Sequence, residues 1–178
     1  YEHIVSFHQH RRNAPMKILI AQNSYQQRGG EDAVAAAEAD LLRSHGHEVE
    51  LYQRHNREID AMSRLSVAMD SVWSRRSTHE IGLLCDRFRP DVIHVHNSFP
   101  LISPSVFWMA SRRRIPVIQT LHNFRLLCPQ AMFLREQQVC EDCLGKAPWR
   151  AVRHKCYRDS ALQSATVAGT ALSRAVDL

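Results

Sequence analysis

No apolar run in this 178-residue sequence approaches the ~20 residues of a membrane-spanning helix. The first fifteen residues, Tyr1 to Pro15, lack the apolar stretch of a signal peptide. The chain also lacks a dinucleotide fingerprint, which needs glycines directly after the first strand and an acidic residue closing the second. Seven residues separate Ala21 from Gly29-Gly30, and the second strand runs into Gln53-Arg54, so a nicotinamide-dependent dehydrogenase is disfavoured. No paired-carboxylate motif stands out that would supply a carboxylate nucleophile. Nor is there a basic stripe. Arg11-Arg12, Arg75-Arg76 and Arg112-Arg113-Arg114 are scattered groups that read as solvated surface rather than a nucleic-acid track.

What is present is the composition of an ordinary globular protein, 44% hydrophobic and 23% charged, and long enough for one domain with a substantial core. The net charge of +5 favours anionic partners such as nucleotide phosphates, anionic lipid or nucleic acid. Five cysteines without a secretion signal point to a reducing compartment, where clustered thiols more often bind metal than form disulfides. The chain opens on Tyr1, while Met16 stands at the head of the first strand. Met16 is the expected natural start, and residues 1–15 are expected to be a disordered tail.

The stretch from Pro90 to Arg125 holds one design twice. Pro90-Asp91-Val92-Ile93-His94-Val95-His96-Asn97 is a β-branched run opened by proline and closed by His-Asn. Pro116-Val117-Ile118-Gln119-Thr120-Leu121-His122-Asn123 repeats it. Both read as strands buried on both faces of a parallel sheet. Between them, Val106, Phe107 and Ala110 at helical spacing mark a helix over 103–113, giving a right-handed strand–helix–strand unit. Ligands of open parallel sheets bind beyond the carboxyl ends of the strands, where both His-Asn pairs fall. The bland alternative is that these side chains cap strand ends and bond local backbone.

Upstream, residues 16–21 read as the first strand, 22–28 as a polar loop, 32–45 as a helix with Val34, Ala37, Leu41 and Leu42 inward, and 47–52 as the second strand. Gly46 reads as a left-handed helix stop. Gly29-Gly30 before the helix suits close approach of an anion to free N–H groups, although many such pairs are simple turns. A helix over 59–76, with Met62, Leu65, Met69, Val72 and Trp73 on one face, is expected to pack on the sheet. A surface for a membrane or a hydrophobic acceptor is the alternative. A further helix over 78–88 buries Ile81, Leu84, Cys85 and Phe88.

After Asn123 the character changes. Cys128, Cys140, Cys143 and Cys156 are spaced C-x11-C-x2-C-x12-C in a segment with few large aliphatics. Four thiolates are what a tetrahedral structural zinc requires, and a metal would order a segment that lacks its own core. Free thiols or redox pairing are the alternatives, and His154 is a substitute ligand. Residues 160–178 read as a helix. A parallel sheet would normally continue into another strand, so the chain is expected to be a fragment.

Taken in order, Gly29-Gly30-Glu31, the run Arg89 to Asn97, Phe99-Pro100-Leu101-Ile102-Ser103-Pro104-Ser105 and Thr120 to Pro129 resemble the amino-terminal domain of family 4 glycosyltransferases. The similarity spans about residues 16–175 and extends to a bacterial subgroup with a cysteine-containing insert, here about 124–158. The resemblance implies an α/β fold, a Rossmann-like parallel sheet forming the amino-terminal half of a GT-B enzyme. It implies a nucleotide-sugar donor, retaining transfer to a glycan or lipid-linked acceptor, and no catalytic metal. It also implies a donor-binding carboxyl-terminal domain beyond Leu178, without which this half should not turn over. Residue by residue, it places Gly29, Gly30 and Glu31 near the donor diphosphate and His122 at the reacting centre. His96, Asn97 and Asn123 fall on the acceptor side. The expected location is the cytoplasm, in keeping with five cysteines and no secretion signal, with peripheral contact at the inner face of the membrane as a further option.

Two other readings stand beside it. One is a zinc-stabilised basic module that binds nucleic acid without catalysis, which leaves the strand-end histidines and the glycine pair unexplained. The other is a purely structural homologue.

Overall fold

The computed structural model describes residues 14–27 and 29–175 of the chain. The expected tail lies, up to residue 13, outside the described residues. Strands β1 (Lys17–Ser24), β2 (Glu48–His55), β3 (Val92–Asn97) and β4 (Val117–Gln119) form one sheet in the order β2-β1-β3-β4. Every pairing in it is parallel. Helix α1 (Gly30–Ser44) joins β1 to β2, α2 (Arg64–Val72) and α3 (Arg75–Phe88) lie between β2 and β3, and α4 (Ser105–Arg112) joins β3 to β4. This is the Rossmann-like α/β architecture expected. Beyond β4 come a short antiparallel hairpin, β5 (Leu134–Arg135) and β6 (Gln138–Val139), then α5 (Trp149–Arg153) and α6 (Ala161–Ala175).

Strand residues alternate between two cores, because successive side chains of a strand point to opposite faces. On one face Leu19, Ala21, Ile93 and Val95 pack with Ile81 and Cys85 of α3 and Val106 and Met109 of α4. On the other, Ile18, Ile20 and Val92 pack with Ala39 of α1. β1 and β3 are the inner strands, and from Ile18 and Val92 onward nearly every residue of each is buried. Gly46 has a φ of +86° and ends α1 in the left-handed region, as expected.

Several expectations need correction. β1 runs three residues further than its apolar part, through Gln22, Asn23 and Ser24, all buried. They read as a loop because they are polar, yet they stay paired with Gln53, Arg54 and His55 of a β2 that is also longer than expected. On α1 the inward face is Ala35 and Ala39, whose small side chains admit the sheet closely, whereas Val34 and Leu41 are exposed. Leu51 is exposed on the edge strand β2, where Tyr52 is the buried neighbour.

The single helix expected over 59–76 is three elements. A 3-10 helix spans Asn56–Ala61, then Ser63 Oγ accepts the Ser66 N–H at 3.1 Å and starts α2. Ser74 Oγ accepts the Ser77 N–H at 3.3 Å and starts α3. Each serine satisfies a helix-start donor, which resets the helix axis. α2 does not pack on the sheet through its apolar stripe; Leu65 and Met69 face solvent, and Trp73, just past its end, meets the Trp108 ring edge-on at a centroid distance of 5.3 Å. The helix is held instead by α6, where Thr170 Oγ1 donates to the Ser71 carbonyl at 3.1 Å. β4 is an edge strand among the described residues, with Ile118 56% exposed, so only the first of the two duplicated strands is buried on both faces. Among the described residues no helix is long and apolar enough to cross a membrane.

These placements give a contrast that sequence similarity between the two runs conceals. Ile93 is fully buried and Ile118 is not. Ile93→Ala should destabilise the domain by about 2–5 kcal/mol and Ile118→Ala by under about 1 kcal/mol. Urea unfolding of the two variants checks this, and equal midpoints would contradict the assigned sheet order.

Candidate functional site

The carboxyl edge of the sheet is polar and buried, so its groups must be satisfied from within. Asn23, fully buried at the end of β1, donates through Nδ2 to Asn56 Oδ1 at 2.8 Å and accepts the Leu101 N–H through Oδ1 at 3.2 Å. Opposite it the β1–β3 register slips by one residue between Ala21 and Gln22, leaving His96 without a partner on β1. A slip of this kind re-aims the side chain that carries it.

The two Asn residues do the same work. Asn97 Oδ1 accepts the Phe99 N–H at 3.1 Å, and Asn123 Oδ1 accepts the Arg125 N–H at 3.0 Å. Their amide groups brace the neighbouring elements. Asn97 Nδ2 donates to the Asn23 carbonyl at 3.0 Å, and Asn123 Nδ2 to Glu31 Oε1 at 3.3 Å. Local backbone bonding therefore describes the carboxamides. The histidines of the pairs instead meet each other: His96 Nδ1 lies 3.2 Å from His122 Nε2, and the rings stack at a centroid distance of 5.4 Å.

Around them is a cleft lined by Glu31, His96, Asn97, His122, Asn123 and Arg125, with Thr170 and Ala171 of α6 on its wall. Gly29 and Gly30 begin α1 immediately before Glu31 but are not part of the lining. Neither has a positive φ. The Gly29 N–H is already taken by Asp32 Oδ2 at 3.0 Å, which also holds the Asp32 carboxyl below its ordinary range against the effect of burial. A Cβ on Gly30 would meet nothing within 4 Å, so the space above it is open. Arg125 lies between two rings, 4.7 Å from the centroid of Phe99 and 5.3 Å from that of Tyr157, and joins the cysteine segment to the cleft.

Two side chains that sequence reasoning passed over complete the site. His94 sits on the same face of β3 as His96, and Glu38 of α1 covers both: Oε1 lies 3.1 Å from His94 Nδ1 and Oε2 3.3 Å from His96 Nε2. His94 Nε2 meets Thr120 Oγ1 at 2.8 Å. Burial lowers the pKa of His94, against the pull of the Glu38 carboxylate. Burial, with repulsion from His94 and His122, pushes His96 down to about 4. Glu38 was legible in principle. It stands between Ala35 and Ala39 on the helix face that packs inward, where a carboxylate needs a partner.

The four cysteines converge. Cys128, Cys140, Cys143 and Cys156 line one small pocket with Arg135 and Asp142, which pair at 2.7 Å. Burial and the neighbouring thiols push Cys143 and Cys156 up. His154 is not in that lining. A tetrahedral zinc with bonds of about 2.3 Å would set sulfurs about 3.8 Å apart. Among the described residues no three of these sulfurs all lie within 4.8 Å of one another, so the four share a pocket without standing at the spacing of a closed zinc site. Among the described residues, seven of the ten positive-φ positions other than glycine (Ala131, Phe133, Glu136, Gln137, Lys155, Arg158 and Asp159) lie in this segment or at its end, where regular structure is too short to hold them.

The buried imidazoles set a pH dependence. A histidine whose folded pKa is depressed contributes stability in full above its unfolded value near 6.5. That stability declines as pH falls and is gone below about 4 for His96. Chelator-treated protein should therefore lose on the order of 2–3 kcal/mol between pH 7 and pH 4.5. The loss should shrink in His96→Phe. Urea midpoints across that range check it, and a flat profile would show that His96 is not held neutral.

No curated protein and no solved structure matches the chain. A family model described as a glycosyl transferase 4-like domain matches residues 29–171, from the glycine pair through the strand-end histidines and the cysteine segment to α6. That span holds every residue of the cleft described above, and the chain belongs to the glycosyl transferase 4-like domain family.

Proposed function

We propose that this domain is the acceptor-side half of a retaining GT-B glycosyltransferase, moving a sugar from a nucleotide-sugar donor to a glycan or lipid-linked acceptor. The observation that carries the reading is the cleft at the carboxyl edge of the sheet, with His122 braced by His96 and flanked by Glu31 and Arg125. Glycosyl transfer builds oxocarbenium character on the sugar and negative charge on the leaving diphosphate. His122 is the residue assigned to the donor sugar near the reacting carbon, as a hydrogen-bonding partner rather than a nucleophile. Gly29 and Gly30 are assigned to the diphosphate, with the open space above Gly30 and the helix-start N–H groups supporting that role. Glu31 stands beside them. His96, Asn97 and Asn123 are assigned to the acceptor side, the two carboxamides by shaping the loops that meet it.

The nucleotide is assigned to a second, carboxyl-terminal domain, and transfer is assigned no catalytic metal. Residues 1–178 alone should then bind a nucleotide sugar weakly and not turn it over. Isothermal titration checks this, and micromolar affinity would count against the division of labour. The exposed Leu65 and Met69 of α2 support contact with a lipid-linked acceptor at the inner face of the membrane, from the cytoplasm. A structural zinc on Cys128, Cys140, Cys143 and Cys156 is assigned to ordering the segment that carries Arg125. Nucleic acid fits less well, since Arg76 pairs with Glu58 and Glu80 and Arg113 with Asp86.

In a protein carrying the donor domain, His122→Ala should lower the transfer rate by ~10²-fold or more, with a smaller effect on donor affinity. Gly30→Val should weaken donor binding while leaving the fold intact. A His122→Ala protein that transfers sugar at the parental rate would remove His122 from the reacting centre. Zinc content is a separate check: protein purified without chelator should carry metal on its thiolates, and chelation should lower its thermal midpoint.

A further inference from the structure

Glu38 and His94 carry no role in the proposed transfer, and His96 meets His122 through Nδ1 alone, which leaves its Nε2 side to be accounted for. Among the described residues Glu38, His94 and His96 are the group of three whose ligating atoms all lie within 4.8 Å of one another. We propose that this trio is a second cation site, taking one zinc-class divalent ion through His94 Nδ1, His96 Nε2 and the Glu38 carboxylate.

The separations suit such an ion. Bonds of about 2.0–2.1 Å to nitrogen and oxygen place adjacent tetrahedral ligands about 3.3 Å apart. Glu38 stands 3.1 Å from His94 Nδ1 and 3.3 Å from His96 Nε2. The side chain of His96 is wholly buried, and its Nε2 makes no hydrogen bond even with the carboxylate so near. A buried polar atom left in this state needs an explanation, and a bound cation supplies one. The far nitrogen of each ring is already engaged, His94 Nε2 with Thr120 Oγ1 at 2.8 Å and His96 Nδ1 with His122 Nε2 at 3.2 Å. Outer partners of this kind fix ring orientation in metal sites. Two imidazoles and one carboxylate make a donor set that suits zinc and its first-row neighbours over magnesium or calcium.

The cation would pin α1 to the end of β3. It would also fix the tautomer of His96, whose Nδ1–H then donates to His122 Nε2 and leaves the His122 proton on Nδ1. Glu38 and His94 would be positioning residues, acting on the cleft through His96. The site stands independently of sugar transfer, and its test uses metal alone.

The experiment is titration of chelator-treated chain with Co2+, followed by absorption and by thermal midpoint. The wild-type protein should show a nitrogen- and oxygen-ligated ion with weak ligand-field bands. This ion is distinct from any ion on the cysteines, which gives an intense thiolate charge-transfer band. Glu38→Gln and His94→Gln should each remove the first species and leave the second unchanged. Thr120→Val should weaken it by ~10–100-fold through the outer partner. Zn2+ should raise the thermal midpoint of wild type by more than that of Glu38→Gln. Should the Gln variants misfold, the wild-type spectrum still decides. Binding with thiolate character alone, or no binding, overturns the proposal, as does a nitrogen- and oxygen-ligated signal that survives in folded Glu38→Gln and His94→Gln.

Discussion

Parallel pairing of β1 with β3 is the constraint on which the rest depends. Both strands are inner strands with cores on either face, so their polar carboxyl ends are carried into the interior together. Parallel direction then forces the turns after β1, β3 and β4 to one edge of the sheet. Groups brought there cannot rely on water. Asn23 answers this by bonding Asn56, the Leu101 N–H and, through its carbonyl, Asn97. The cleft is thus framed by side chains whose first duty is to close backbone.

The duplicated His-Asn pairs divide their labour for a chemical reason. A carboxamide that bonds the N–H two residues on has its oxygen committed and its nitrogen free to brace a neighbour. Both asparagines do this, one against Asn23 and the other against Glu31. An imidazole has a nitrogen on each side of its ring, so it can touch two elements at once. His96 uses that property to reach Glu38 on one side and His122 on the other. Burial lowers the pKa of His94 and of His96 and so favours their neutral rings, and a neutral ring can donate at one nitrogen and accept at the other.

The cysteine segment follows a different rule. It has two-residue strands and a five-residue helix, too little to bury a core, and its backbone takes left-handed conformations that cost energy at most side chains. Its order has to come from point attachments. The thiol pocket is one, and Arg125 between Phe99 and Tyr157 is another. Because Arg125 also lines the cleft, the state of the segment bears directly on the site.

Periodicity and turn chemistry were enough to determine the parallel α/β class, the buried β3, the inward face of α3, the Gly46 stop and the cysteine cluster. These depend on local patterns that survive into the fold unchanged. The family resemblance was carried by motifs short enough to read one residue at a time. Burial of the polar end of β1, the exposure of Ile118 and the break of 59–76 into three elements were decided by tertiary structure. Edge or centre is a property of the sheet and not of the strand. The meeting of Glu38 with His94 and His96 belongs to the same class. A carboxylate in an alanine-rich helix looks solvated in sequence, and only the docking of α1 on β3 shows that it points inward against two imidazoles.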